Sequence, residues 1–256
     1  MELFDLRGKV AIVTGGNGGL GRGMAAGLAS AGAHIVIAAR NQSKMAETAT
    51  EFRQQYGVEV LELQVDVCQE ADIKAMVDET MRTLDRIDIL VNNAGTNIRK
   101  PPSELTAGEW QTVMDTNLSS TFLCSQAVYE PMVRGGGGKI INNGSMFSIF
   151  GGSHVLAYAA SKGGVVQLTK SLAVAWAPDN IQVNAILPGW LYTDLTRSAM
   201  EQLPELHDRV LQRTPQGRWG EPEDLAGAAV FLASRASDFV TGVAFPVDGG
   251  YSVSAP

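Results

Sequence analysis

Short runs of β-branched and apolar residues alternate with stretches of helical periodicity along the whole chain, and this alternation restricts the fold more than any other feature. Lys9–Thr14 (KVAIVT) reads as a buried strand. Leu20, Met24 and Leu28 then recur at helical spacing, with Gly23 and Gly27 allowing a neighbour to come close. His34–Ala39 and Val58–Val65 are the second and third strands. Ile73, Met76, Val77, Met81 and Leu84 mark one face of a helix that leads into the strand Ile87–Val91. A helical stretch runs from Thr106 to Val133, and the Gly135–Gly138 run turns the chain into the strand Lys139–Asn142. A small-residue helix covers Val155–Trp176, and a strand follows at Ile181–Ile186. Glu223–Ala233 is a last helix and Val243–Val247 a last strand. Gly189–Gly220, with Pro204 and Pro215, has weaker periodicity and reads as a small insertion near the substrate. Strands separated in this way pair in parallel through right-handed crossovers. The expectation is therefore an α/β fold: one doubly wound parallel sheet of about seven strands with helices on both faces. No linker or repeat interrupts it, so residues 1–256 are expected to form one domain.

Charge and composition exclude several functions. A formal net charge of −7 disfavours nucleic acid and anionic membrane surfaces, which are met by clustered Lys and Arg. No apolar run reaches the roughly 18 residues needed to span a bilayer. The start, Met1-Glu2-Leu3-Phe4-Asp5, carries acids where a secretory signal carries bases. Cys68 and Cys124 are too few and too far apart for a disulfide framework, and His34, His154 and His207 have no metal-ligand spacing. A cytoplasmic protein without metal is expected.

Thr14-Gly15-Gly16-Asn17-Gly18-Gly19-Leu20-Gly21 joins the first strand to the first helix. Residues without side chains there let a pyrophosphate approach the backbone, and the helix N-terminus adds N–H donors and the positive end of its dipole. A dinucleotide site follows. Further along, Tyr158 and Lys162 stand four apart on a helical pattern and share a face. An ammonium beside a phenol favours the phenolate and brings its pKa towards a useful range for proton transfer. Ser145 lies thirteen residues earlier, at the carboxyl end of a strand, where open α/β sheets bind ligands. Its hydroxyl can hydrogen-bond a substrate oxygen as charge develops there. Ser148 is the local competitor, and Asn117 is an amide inside a helix that has no need of one.

Taken in order, Thr14–Gly21, Asn92-Asn93-Ala94-Gly95, Asn117, Ser145, Tyr158-x-x-x-Lys162 and Pro188-Gly189 resemble the short-chain dehydrogenase/reductases over nearly the whole chain. The resemblance implies a catalytic set of Asn117, Ser145, Tyr158 and Lys162, with Asn117 relaying protons to Lys162 through water. It implies that Gly15, Asn17, Gly18, Gly19, Leu20 and Gly21 cradle the dinucleotide, with Asp66 and Val67 at the adenine. Asn93, Ala94 and Gly95 would line the adenosine side, and Tyr158 and Lys162 would also hold the nicotinamide ribose. Pro188, Gly189 and Thr193 would support the nicotinamide carboxamide.

The second strand ends in Ala38-Ala39-Arg40-Asn41, with no acid to accept from ribose hydroxyls. Arg40 can pair with a 2′-phosphate, so NADP(H) is expected over NAD(H), although no basic residue in the glycine loop supports it. Thr96-Asn97-Ile98-Arg99, Ser145–Ser148 and Gly217-Arg218-Trp219-Gly220 resemble the sugar-acid branch of the family, which includes gluconate 5-dehydrogenases and 2-dehydro-3-deoxygluconate 5-dehydrogenases. Asn97, Arg99, His154 and Trp190 are the substrate candidates, His154 standing where that branch leads one to expect an arginine. Lys100 and Tyr192 are also available there. The activity implied is interconversion of a secondary alcohol and a ketone. A reductase of 3-oxoacyl thioesters or other ketones would use the same machinery, and a silent dinucleotide-binding scaffold would not need it. By resemblance the chain forms a homotetramer.

Overall fold

The computed structural model describes residues 2–254. Seven parallel strands form one sheet in the order β3-β2-β1-β4-β5-β6-β7. They are β1 (Val10–Thr14), β2 (His34–Ala39), β3 (Val60–Gln64), β4 (Ile89–Asn92), β5 (Gly138–Asn143), β6 (Ile181–Pro188) and β7 (Ala244–Val247). The central strands are apolar on both faces because helices cover both. Ala11 and Val13 of β1 join one core with Met24, Met45, Phe52 and Leu232. Val10 and Ile12 join the other with Ile73, Met76, Val128 and Leu172. Continuous apolar runs are what a doubly covered parallel sheet requires.

On the first face lie α1 (Gly19–Ser30), α2 (Gln42–Tyr56) and α9 (Ala226–Ala233). A Cβ at Gly23 would collide with the Pro222 carbonyl, and one at Gly27 would sit 2.7 Å from Ala226 Cβ, so α1 can seat on this segment only through glycine. The second face carries α3 (Glu70–Leu84), α5 (Ser120–Arg134) and α6 (Leu156–Trp176). Strand order reverses between β1 and β4, opening a crevice above their carboxyl ends.

One expectation needs correction, and two helical segments gave too little periodicity to read. The helix α2 gave no apolar repeat to read; it starts because the Asn41 side chain caps Lys44 N–H and stops where Gly57 takes φ +66°. The stretch Thr106–Val133 is not one helix: α4 (Ala107–Met114) and α5 are joined by a π-helical turn at Asp115–Ser119, which holds Asn117. The insertion 189–220 carries α7 (Asp194–Gln202) and α8 (Leu206–Arg213). Leu206, Val210 and Trp219 form its own small core, against which Trp190, Tyr192 and Met200 pack. A parallel bridge, Leu191 to Gly220, closes its base.

Candidate active site

The carboxyl ends of β1, β2 and β4 open into a cavity of about 800 Å³. Gly15, Asn17, Gly18, Gly19, Leu20, Arg40, Asn41, Asp66, Val67, Asn93, Ala94, Gly95, Tyr158, Lys162 and Thr193 all line it. The backbone explains Gly15, which has φ +65°, whereas at Gly18 a Cβ would meet no protein atom within 4 Å and the glycine instead keeps that space clear above the helix end. Gly18 caps α1 without a side-chain hydrogen bond, and no acid occupies the first turn. The N–H groups at that helix end are thus free for an anion, and a dinucleotide pyrophosphate fits the cradle. Gly21 does not line the cavity. A Cβ there would collide with Asn93 Nδ2 and the Gly15 carbonyl, so this glycine lets the loop close on β4.

Thr14 and Asn93 lock that closure. Thr14 Oγ1 accepts from the N–H groups of Asn93 and Ala94, each at 3.0 Å, and Asn93 Nδ2 donates to Thr14 O at 3.0 Å. Asn93 Oδ1 in turn accepts from Asn143 Nδ2 at 3.0 Å. Since Asn93 spends its NH2 on the glycine loop, the orientation of both amides follows. Asn143 Oδ1 is left buried without a partner among the described residues. Asn143 was missed in the sequence, where it reads as an ordinary strand end.

A second cavity adjoins the first through Leu20, Asn143, Tyr158, Thr193 and Leu195, which line both. Its other walls include Asn97, Arg99, Ser145, Phe147, Pro188, Gly189 and Trp190. His154 is not among them; its ring faces the Ser153 hydroxyl at 2.9 Å. Lys100 is held by Glu109 at 2.5 Å, and Tyr192 stacks on Trp219 with centroids 5.2 Å apart. Arg99 has no ion pair or hydrogen bond among the described residues, and burial pulls its guanidinium below its ordinary pKa. Asn97 Oδ1 is also buried and unpartnered.

Ser145, Tyr158 and Lys162 converge where the cavities meet. Ser145 caps the short turn Met146–Ser148, its Oγ accepting from Phe147 N–H at 3.1 Å. Its hydroxyl proton is thus free to be donated, and Ser145 stands beside the Tyr158 phenol, whose ionised form it favours. Ser148 is committed elsewhere: its Oγ donates to Lys162 O at 2.8 Å and accepts from Ser145 N–H at 3.1 Å. Lys162 is buried and donates to Asn143 O at 2.6 Å, with Nζ 5.7 Å from the Tyr158 ring centroid. Burial lowers the pKa of its ammonium from 10.5 to about 8.

The expected lowering of the Tyr158 pKa is not found in the protein alone. Burial pushes the phenol above its ordinary value, and the Ser145 hydrogen bond only partly opposes this. Asn117 is buried at the π-turn. Its Oδ1 accepts from Thr96 N–H at 2.8 Å, and its Nδ2 donates to Thr96 O at 2.9 Å and Ser161 Oγ at 3.0 Å. That amide fixes the loop after β4, and a Cβ on Gly95 would lie 3.2 Å from its Oδ1 and 3.7 Å from Lys162 Nζ.

Lys44 also lines the larger cavity beside Arg40, a basic residue that reading the glycine loop alone could not find. No helix among the described residues is long and apolar enough to cross a membrane, and none of their His, Cys, Asp and Glu side chains cluster as a metal site.

Comparison with known proteins agrees with this geometry. Residues 15–252 match the family profile described as enoyl-(acyl carrier protein) reductase. A 2-dehydro-3-deoxy-D-gluconate 5-dehydrogenase of Formosa agariphila is 42% identical, covering 98% of this chain and 95% of its own. A 5-keto-D-gluconate 5-reductase of Escherichia coli is 42% identical over 99% of both chains. The crystal structure of a gluconate 5-dehydrogenase from Burkholderia cenocepacia, in complex with NADP and tartrate, superposes with a TM-score of 0.94. It is 42% identical over 99% of both chains.

Proposed function

Because the chain belongs to the short-chain dehydrogenase/reductase family, we propose that it is an NADP(H)-preferring oxidoreductase that interconverts a secondary alcohol and a ketone on sugar acids. One observation carries the substrate class. The cavity that receives Ser145 and Tyr158 also receives Arg99, a part-buried guanidinium with no acidic partner of its own. A cation in that state is completed by a carboxylate, which it can grip through two parallel hydrogen bonds. The buried acceptor on Asn97 beside it suits a hydroxyl of the same substrate. Relatives named for gluconate and 2-dehydro-3-deoxygluconate, and the neighbour holding tartrate, favour this reading over acyl thioesters. A silent scaffold would have no use for this Tyr–Lys–Ser set.

The reduced nicotinamide supplies a hydride to the carbonyl carbon when bound. Tyr158 gives its proton to the carbonyl oxygen, and Ser145 donates a hydrogen bond that holds that oxygen and stabilises its growing charge. Lys162, with its pKa near 8, returns a proton to the phenolate, and it would hold the ribose hydroxyls of the bound cofactor. Asn117 keeps Thr96 and Gly95 in place beside Lys162 Nζ, the position from which a water-mediated relay would bring protons to the lysine. Oxidation runs through the same groups in reverse.

The domain is a single unit, residues 1–256, and the functional form is a cytoplasmic homotetramer. Phe122 on α5, Leu156 and Val174 on α6, and Phe245 on the edge strand β7 are exposed apolar side chains that such an assembly would cover. Light scattering should give a mass of four chains. For the activity, a panel of sugar acids, neutral ketones and acyl thioesters should be assayed with NADPH. Sugar acids alone should be turned over with high kcat/KM; selective use of acyl thioesters would overturn the proposal.

A further inference from the structure

We infer that Lys44 is a second cation for the 2′-phosphate of the dinucleotide and that Asp194 competes for it. The ion pair between them would then tune the preference for NADP(H) over NAD(H) that Arg40 establishes. The inference rests on the dinucleotide reading above. Lys44 lines the large cavity together with Asn17, Arg40 and Asn41, at the end of β2. It stands in the first turn of α2, where the helix dipole is positive and no acid is present. A lysine there gains nothing from its own helix and adds to the positive charge already placed by Arg40. Its only ion-pair partner among the described residues comes from across the cavity: Asp194 Oδ2, in the first turn of α7, at 3.5 Å from Lys44 Nζ.

This pair is weak by construction. The side chains are 56% and 85% exposed, and the separation exceeds a good hydrogen bond. A 2′-phosphate in the corner between Arg40 and Lys44 offers more negative charge than one carboxylate, and several acceptor oxygens instead of two. Lys44 therefore exchanges Asp194 for phosphate when NADP(H) enters. The ribose of NAD(H) presents a hydroxyl at that place, so Lys44 stays with Asp194. Asp194 thus lowers the affinity for the phosphorylated cofactor by holding the lysine it needs, while Lys44 masks an acid that would otherwise face an anionic ligand.

The test is to titrate the full-length protein with NADPH and with NADH, following tryptophan fluorescence or heat, at low and high salt. Lys44→Met should raise the Kd for NADPH by about 10-fold and leave that for NADH within about 2-fold. Asp194→Asn should act in the opposite sense, improving NADPH over NADH by about 2- to 5-fold at low salt, with the gain fading as salt is raised. Equal weakening of both cofactors by Lys44→Met, or no weakening, would overturn the inference. So would an unchanged NADPH-to-NADH ratio in Asp194→Asn. A wild-type protein that binds neither cofactor would instead bring down the dinucleotide reading beneath it.

Discussion

Lys162 is the side chain whose chemistry and stability are most sharply opposed. It is 4% exposed, and among the described residues no carboxylate pairs with it; its ammonium makes a single hydrogen bond there, to the Asn143 carbonyl at 2.6 Å. Burial brings its pKa from 10.5 to about 8, so the folded protein holds this proton more weakly than the unfolded chain. The sign follows directly: between those values the unfolded state binds more protons, and raising the pH favours folding. Keeping the ammonium charged costs about 3 kcal/mol at pH 7. By pH 9.5 that cost falls by about 2 kcal/mol. Lys162→Met removes the cost at every pH, but it leaves the Asn143 carbonyl unpaired, a loss of about 1–3 kcal/mol. This second contribution does not depend on pH and cancels when stabilities are compared across pH. The measurement is urea unfolding of wild type and Lys162→Met, without cofactor and at one protein concentration, at pH 7, 8.5 and 9.5. Relative to the variant, the wild type should gain about 2 kcal/mol from the lowest pH to the highest. Parallel stability curves would show that the ammonium is not desolvated as described. Turnover should be lost in the variant whichever way its stability moves.

Three further outcomes are expected. Tyr158→Phe should lower kcat by at least about 10²-fold while NADPH binds within about 2-fold of wild type; rates near wild type would remove the phenol from proton transfer. Arg99→Met should raise KM for a sugar acid by about 10-fold or more and leave a neutral ketone unaffected, and equal effects on both substrates would refute the carboxylate role. Gly21→Ala should lower stability by about 1–3 kcal/mol in a thermal melt and weaken every dinucleotide, because its methyl would fall on Asn93 Nδ2 and the Gly15 carbonyl. A normal melt with normal binding would show that the loop can open at no cost.

The sheet was legible because its strands are buried on both faces, and residues such as Val10–Thr14 and Ile181–Ile186 can hardly do anything else. The helix α2 was not, since it buries only Met45, Thr48, Ala49 and Phe52 among polar neighbours and owes its ends to a cap and a glycine. The break at Asp115–Ser119 was invisible for a different reason. A π-turn keeps helical periodicity almost intact, and only the burial of Asn117 against Thr96 and Ser161 reveals it. The site residues read from the sequence sit in local motifs. Asn143 and Lys44 do not stand out there, because their partners lie far away in the chain: Asn93 for one, Asp194 for the other. His154 shows the converse, since a position argued from neighbouring sequence turned out to face Ser153.

The segment carrying α7 and α8 has its own apolar centre around Leu206, Val210 and Trp219. Its base is joined to itself by the Leu191–Gly220 bridge, so it enters and leaves the sheet through adjacent points. A unit attached in this way can be exchanged as a cassette. Grafting residues 190–220 from a homologue should exchange the cavity wall that Trp190 and Leu195 form, while Asn97, Arg99, the glycine loop and the Tyr158–Lys162 pair stay in place. Because the same cassette carries position 194, the ceiling over the substrate and the partner of Lys44 are inherited together.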